Sequence, residues 1–463
     1  MGNGLAYTIL AIWPLVAIYL YRTRSIQVAT LWTIFAGLMV LPVKTAVDLP
    51  MLPEVGKDTA PVIAALIGCW LVKRQHISYF KQLGKIKYLV LLYLIVPFVT
   101  AGLNSDAVFT GGWYLPSLTY YDGVSSVINQ FLLIVPFFIG RQFFKTYDHQ
   151  LLMFKILAIA GLVYSLPILF EVRMSPQLHL WIYGYFPGSF GQQMRLDGFR
   201  PVVFMGHGLT VSFFIAIALL SAITLWKNQI RLRLFSPAIR VYYLAIILVL
   251  CKSVGALVYG VLAFALIKWT KPKRQHQIAV VLACLTLFYP LMSIMNVFPH
   301  QPIIEMASSV DEERAQSLQF RFDNEEILLE HARERIFFGW GGWGRNRVYD
   351  QETGKDISVT DGRWIITFGQ FGILGFIAEF GFLALTIFRS YIASKRLKSK
   401  SEQPLLAAHA LMVGIIMIDQ LPNSSLSPWL WLLAGILLGR SEAIIYQSRD
   451  NAFSKQNIAK SSG

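Results

Sequence analysis

The chain is short of charge. Only 14% of its 463 residues are Asp, Glu, Lys or Arg, against about 25% in a soluble domain. That shortage excludes an ordinary water-soluble globule of this length. Cysteine is scarce as well. Cys69, Cys251 and Cys284 lie in apolar runs without ligand spacing. They form neither a disulfide framework nor a zinc module, and read as small core residues. No HExxH, CxxC or Walker A motif and no GxGxxG phosphate loop supports a metal or a nucleotide, so no cofactor is expected. Basic residues do not interleave with aromatics along a groove, which excludes nucleic acid as a partner. Acidic residues are outnumbered, leaving a formal net charge of +15. In an apolar chain that excess belongs to loops facing anionic lipid.

What the chain does have is hydrophobic length. Hydrophobic residues make up 55% and the mean hydropathy is +0.53. Continuous apolar runs of about 17–25 residues, separated by short basic clusters, specify membrane-spanning helices. Their continuity excludes a β-barrel, whose strands alternate. The expected fold is an all-α polytopic membrane helix bundle of about 12–14 spans. It carries a large external loop with amphipathic helices.

The spans are expected at about Gly4–Tyr21, Val28–Val43, Thr59–Val72, Tyr88–Leu103, Val124–Gly140, Leu151–Phe170 and Gly208–Trp226. After an interrupted stretch, Val241–Lys268, three more follow at about Gln277–Met295, Ile365–Phe388 and Leu405–Ile418. A last one covers about Pro428–Leu438. The Ile365 span begins with an interfacial piece. The first run has no basic residue before it and reads as a membrane helix rather than a cleaved signal. The chain is one integral membrane domain over residues 1–463. Residues 171–207 and 297–363 are external loops, and residues 440–463 are a polar, partly disordered cytoplasmic tail. Every second loop is short and basic, which places it in the cytoplasm. The long loops then face outward, into the periplasm if the cell is Gram-negative.

Val241–Lys268 has basic residues at both ends and is interrupted at Lys252-Ser253-Val254-Gly255. Its 28 residues cannot supply two full spans. One reading is a hairpin of two short helices whose turn stays within the membrane, with Lys252 facing something polar. The other is one long span with Lys252 snorkelling.

The longest polar interval runs from about Val297 to Arg363. Asp311–Phe338 reads as an amphipathic helix with Leu318, Phe322, Ile327, Leu328 and Ile336 apolar. A Gly/Trp run, Gly339-Trp340-Gly341-Gly342-Trp343-Gly344, then turns the chain. Arg314, Arg321, Arg345 and Arg347 suit a solvated helix face or loop paired with carboxylates.

Two external arginine groups do not follow from topology. One is Arg195 with Arg200, ahead of Pro201 and His207. The other is the set in the large loop, of which Arg333, Arg335 and Arg363 are the candidate ligands. Planar guanidinium donates paired hydrogen bonds to phosphate oxygens, so these groups and Lys252 suggest a lipid-linked diphosphate. His207 either hydrogen-bonds the ligand or caps the following helix. Asp361 is either a base for a sugar hydroxyl or an N-cap. Trp113, Tyr114, Tyr120, Tyr121, Trp181, Tyr183, Trp340 and Trp343 either stack on sugars or form an interfacial belt.

Four stretches, in this order, resemble the O-antigen polymerase/ligase superfamily. They are Arg195-Leu-Asp-Gly-Phe-Arg200-Pro201 through His207-Gly208, and Ser253-Val254-Gly255-Ala256. The others are Arg333-Glu-Arg335 into Gly339-Trp340-Gly341, and Asp361 through Gly369-Gln-Phe-Gly372-Ile-Leu-Gly375. Together they cover about Arg195–Phe388. Two positions depart from the pattern: Val254 replaces the family's turn arginine, with Lys252 two residues earlier, and Asp361 stands where ligases commonly carry histidine.

The resemblance implies a metal-independent membrane glycosyltransferase at the outer face of a bacterial inner membrane. It polymerises O-antigen or exopolysaccharide repeat units carried on undecaprenyl diphosphate. Its partners would be polyprenyl-diphosphate-linked oligosaccharide, membrane lipid and a chain-length regulator. Arg195, Arg200, His207, Lys252, Arg333, Arg335 and Arg363 would bind diphosphate and glycan, and Asp361 would be catalytic. The alternatives are an O-antigen ligase acting on the lipid A core of lipopolysaccharide and, from another class, a transporter.

Overall fold

The computed structural model describes residues 2–48, 53–81, 83–110, 113–195, 198–232, 235–309 and 312–461. Leu196, Asp197 and Asp311 lie outside the described residues, as do the side chains of Trp113 and Arg314.

Apolar runs become helices because a chain away from water must satisfy its backbone groups internally. Side-chain caps set where several of the helices begin. The helix α1 (Gly4–Thr23) starts at Asn3, whose side chain accepts from the Ala6 amide. Next come α2 (Ile26–Val40), capped by Ser25, and α3 (Thr59–Ile67), which ends in a π-turn over Gly68–Val72. After α4 (Ile86–Leu103) a hairpin pairs β1 (Val108–Thr110) with β2 (Trp113–Leu115). A Thr119–Asp122 capping box opens α5 (Tyr120–Phe143). Then α6 (Tyr147–Met174) leads through α7 (Leu178–Tyr183) to a second hairpin, β3 (Met194–Arg195) with β4 (Gly198–Phe199). The rest is α8 (Gly208–Lys227), α9 (Pro237–Leu250), α10 (Val254–Trp269), α11 (Pro272–Ile294), α12 (His300–Ser308), α13 (Glu312–Arg333), α14 (Arg363–Arg396), α15 (Gln403–Asp419) and α16 (Pro428–Ser461).

Among the described residues, eight helices are long and apolar enough to cross a membrane: α1, α4, α5, α6, α8, α11, α14 and α16. Five shorter apolar helices accompany them. The chain is therefore a mostly helical bundle, as a polytopic membrane protein requires. The apolar stretch of α8 is 89% buried and that of α1 only 28%, so α8 is the central post and α1 the periphery. The helix α8 packs on α6, α9 and α10, while α16 packs on α5 and α14.

The interrupted stretch forms the two-helix hairpin. At 1.5 Å per residue, α9 and α10 reach only about 21 and 24 Å, less than the ~30 Å hydrocarbon thickness. The turn sits at Cys251–Ser253, with Lys252 at φ +51°.

Two expectations need correction, and another, the span from Ile365 with its separate opening piece, gains a defined interruption. The amphipathic helix ends at Arg333, so Ile336 lies beyond it, and Ile327 is exposed. The chain leaves the helix to pair with the middle of α14. The Ile365 span, α14, is interrupted at Gly372 (φ +64°). Ile373 and Leu374 donate their amides to Ile336 and Phe337, and Trp340 and Gly341 donate theirs to Gly369 and Gln370. The Gly/Trp run and the Gly369–Gly375 run are thus two halves of one joint. A Cβ on Gly372 would lie 2.3 Å from the Phe337 carbonyl carbon, and one on Gly339 would lie 2.5 Å from that of Gln370. Second, the polar tail is helical where it follows Leu438. Arg440 pairs with Glu402, and Glu442 pairs with Arg141 at 2.8 Å. These ion pairs let charged residues pack beside buried Ile444 and Ile445.

Candidate functional site

The structure gathers Arg195, Arg200, His207 and Lys252 at the α9–α10 turn and the start of α8. The loop before α8 is held from within the bundle. Glu171 of α6, fully buried, accepts from the amides of Leu178, Val202 and Val203 at 3.0, 2.7 and 2.7 Å. The Tyr164 hydroxyl accepts from the Phe204 amide at 3.1 Å. Lys57 donates to the carbonyls of Phe204, Leu38 and Leu41 at 2.9, 2.7 and 2.6 Å.

On that rigid loop Arg200 is only 9% exposed. Its Nη2 donates to the Lys252 carbonyl at 3.0 Å, and Lys252 Nζ donates back to the Arg195 carbonyl at 2.9 Å. The hairpin tip and the loop therefore lock each other. The Arg200 Nε is buried with no hydrogen-bond partner. A Cβ on Gly208 would come 2.2 Å from Arg200 Cδ, so glycine at the first residue of α8 makes room for the guanidinium stem. His207 caps α8, its Nδ1 accepting from the Leu209 amide at 3.1 Å. Burial first, then Arg200 and Arg195, lower the His207 pKa. The ring is neutral at pH 7, as its capping role requires. Burial first, then Arg195, also lowers the Arg200 pKa, but arginine starts high enough to stay protonated.

Two helix starts meet here. Ser253 leaves α10 without a side-chain cap, so that helix's first amides face the turn. Helix N-termini and cations both attract anions.

The second arginine group has a different character. Arg333 donates Nε and Nη2 to the carbonyls of Ile294 and Ser293 at 3.0 and 2.9 Å, and pairs with Glu326 at 2.5 Å. It closes the C-terminus of α11. Arg335 pairs with Asp106 at 2.8 Å, donates to Asn104 Oδ1 at 2.6 Å, and lies 4.1 Å over the Trp340 ring. The hydrogen bond from Arg335 holds the Asp106 carboxyl below the usual carboxylate range. Arg345, only 1% exposed, donates to the carbonyls of Trp340, Asp106 and Pro116. Arg363 forms a two-pronged pair with buried Glu379 at 2.7 and 3.0 Å, and Thr367 adds a bond to the same carboxylate. These arginines hold the joint and the start of α14.

Asp361 is exposed and makes no side-chain hydrogen bond or ion pair among the described residues. Gly362, not Asp361, caps α14. Asp361 borders a cleft of about 790 Å³ with Arg321, Glu325, Tyr289 and Trp364. No hydrogen bond or ion pair joins it to Arg195, Arg200, His207 or Lys252. Glu325 accepts from the Tyr289 hydroxyl at 2.7 Å, and burial pushes its pKa up to about 7.

Of the aromatics, Tyr183 and Trp340 are buried. Tyr183 donates to the Val40 carbonyl at 2.5 Å, and Trp340 stacks on His331 at 4.3 Å. Neither ring is open to a sugar. Tyr114, Tyr120, Tyr121, Trp181 and Trp343 are exposed.

A further cavity, open to solvent, was not anticipated. Asp58, Ser126, Asn129, Gln130, Arg363 and Gln370 supply its polar lining. Ser126, Asn129 and Gln130 follow i, i+3, i+4 spacing inside an apolar run, the signal that marks a polar stripe on a membrane helix.

No family model matches the chain. No curated protein matches it either.

Proposed function

We propose that the chain is a membrane glycosyltransferase that polymerises lipid-linked polysaccharide repeat units at the outer face of a bacterial inner membrane. The observation that carries this reading is Arg200. It is a buried guanidinium with an unpartnered Nε, set beside Arg195, Lys252 and two helix starts. Among the described residues no carboxylate pairs with it; a buried cation so placed costs stability, and an anionic ligand would offset that cost. A diphosphate supplies the right charge and several oxygens for a forked donor.

In this reading the eight long and five shorter apolar helices all enter the bilayer, and the loops before α8 and α14 lie outside. The cluster binds the diphosphate of an undecaprenyl-linked glycan. An acceptor sugar hydroxyl attacks the anomeric carbon. The new C–O bond forms as the bond to the diphosphate breaks, and the arginines stabilise the charge on that leaving group. The growing chain is the donor, and a chain-length regulator would act on the same surface. With lipid A core as acceptor the same chemistry would be ligation.

The test is deletion of the gene followed by electrophoresis of the surface glycan. A polymerase loss leaves one repeat unit on the acceptor. A ligase loss leaves lipid A bare and glycan on the carrier lipid. An unchanged glycan sinks both, and would favour a transporter using the same cationic turn.

A further inference from the structure

We infer that the cavity between α3, α5, α14 and α16 is the acceptor-sugar site, with Asp58 as the base that takes the attacking hydroxyl's proton. The inference rests on the glycosyl-transfer reading and goes beyond it, because it assigns the acceptor to a cavity distinct from the Arg200–Lys252 cluster.

The cavity lies where helices begin. Thr59, Arg363 and Pro428 are the first residues of α3, α14 and α16, and all line it. Ser126 and Asn129 lie within the first three turns of α5. Its chemistry is mixed. One carboxylate, three side-chain amides, two hydroxyls and a guanidinium share the space with Leu132, Leu133 and Phe371. Amides both donate and accept, as a sugar's hydroxyls do, and a ring face has apolar surface for Phe371. Gln130 is only 8% exposed and its Oε1 has no hydrogen-bond partner. A buried acceptor left open at a cavity wall calls for a donor, and a ligand hydroxyl is one.

Asp58 is suited to the base role by what it does not do. It precedes α3 but makes no capping bond to that helix. The only guanidinium lining the cavity among the described residues, Arg363, is already committed to Glu379. Asp58 is exposed and lines the cavity, so a hydroxyl bound there can reach it. The surrounding protein raises its pKa, opposed by the Lys57 ammonium. The next residue back ties the two sites together. Lys57 holds the Phe204 carbonyl, and Phe204 sits between Arg200 and His207 in the loop that would bind the diphosphate.

The step balances without a co-reactant. The hydroxyl oxygen bonds to the anomeric carbon as its proton passes to the Asp58 carboxylate. The carbon–oxygen bond to the diphosphate breaks, and undecaprenyl diphosphate leaves with the electron pair. The protonated Asp58 then returns its proton to water.

The test uses full-length protein in lipid nanodiscs, with purified undecaprenyl diphosphate as the binding probe. Product is read as glycan length with lipid-linked repeat units. Asp58→Asn is expected to bind undecaprenyl diphosphate within threefold of wild type and to lose product formation at least 100-fold. It should also abolish the acidic limb of the rate–pH profile, and Asp58→Glu should restore part of the rate. Gln130→Leu should raise the acceptor KM at least tenfold with kcat within threefold, and serves if Asp58→Asn does not accumulate. Asp58→Asn with product within threefold of wild type would overturn the inference alone. Loss of undecaprenyl diphosphate binding together with product would also overturn it, by making Asp58 structural. Binding lost only in Arg200→Ala, with Asp58→Asn catalytically dead, supports both sites. An unchanged surface glycan in the deletion strain would overturn the glycosyl-transfer reading and the Asp58 assignment with it.

Discussion

The two arginine groups share composition and differ in what their donors meet. At the α14 joint, Arg333, Arg335 and Arg363 each have a carboxylate partner, and Arg345 is wrapped by backbone carbonyls with Asp106 at 3.6 Å. At the hairpin tip, no carboxylate pairs with Arg195 or Arg200 among the described residues, and Arg200 keeps an open Nε. A guanidinium whose hydrogen bonds are already satisfied gains little from a ligand. One with an unmet buried donor gains a great deal. The joint's arginines are committed within the protein and the tip keeps an open donor, although both are arginine clusters in the sequence.

That contrast is broken most directly at its functional end. Arg200→Ala should lose at least 100-fold of product and most undecaprenyl diphosphate binding, with only a few degrees lost from the melting temperature. Nanodisc binding and thermal unfolding read the two separately. Arg345→Ala should do the opposite, lowering stability by about 3–5 kcal/mol as carbonyls and Asp106 lose their buried partner. Binding per folded molecule should be retained. Gly372→Ala should cost about 1–3 kcal/mol, because it puts a side chain into left-handed backbone against Phe337. Hydrogen exchange at Ile373 and Leu374 would report that opening.

A smaller effect is expected from pH. The Glu325 pKa is raised to about 7, so its contribution is fully present below the unfolded value near 4.3. It is lost as pH rises through about 7. Wild type should then be on the order of 1–3 kcal/mol less stable at pH 8 than at pH 5 from this group, and Glu325→Gln should flatten that window. A melting temperature in Glu325→Gln with the wild-type pH slope would remove Glu325 as its cause. The smallest effect should come from Asp361→Asn, under tenfold on product. A larger loss would return Asp361 to the catalytic role that the sequence suggested.

Much of the fold was legible. The expected span Gly208–Trp226 is the helix Gly208–Lys227, and the break at Lys252 was visible as a polar interruption in an apolar run. Helix ends beyond the apolar runs were less legible. Past Leu438 the sequence looks like a solvated tail, yet Arg440 and Glu442 find partners at Glu402 and Arg141. Those partners lie 38 and 301 residues away, so no local pattern announces them. The Gly/Trp run and the Gly369–Gly375 run were each visible as motifs. That they form one joint depends on the interruption of α14 at Gly372.

The site divides in the same way. Arg195, Arg200, His207 and Lys252 were legible as a group because cations and helix starts recur along the chain. Asp58 was not, since in sequence it is one charge among several in a loop. Its significance comes from Ser126, Asn129, Gln130 and Gln370, which the bundle brings to the same cavity.

By itself the sequence determined that this chain is a helix bundle with helices long and apolar enough to cross a membrane, and where those apolar helices fall. Those follow from the length and continuity of apolar runs, which act locally through the solvent each residue prefers. Only the tertiary structure decided which polar groups are committed to holding the bundle and which are left open to a ligand. Hydrogen bonds reach about 3 Å, and the partners of Arg335 lie 229 to 232 residues away.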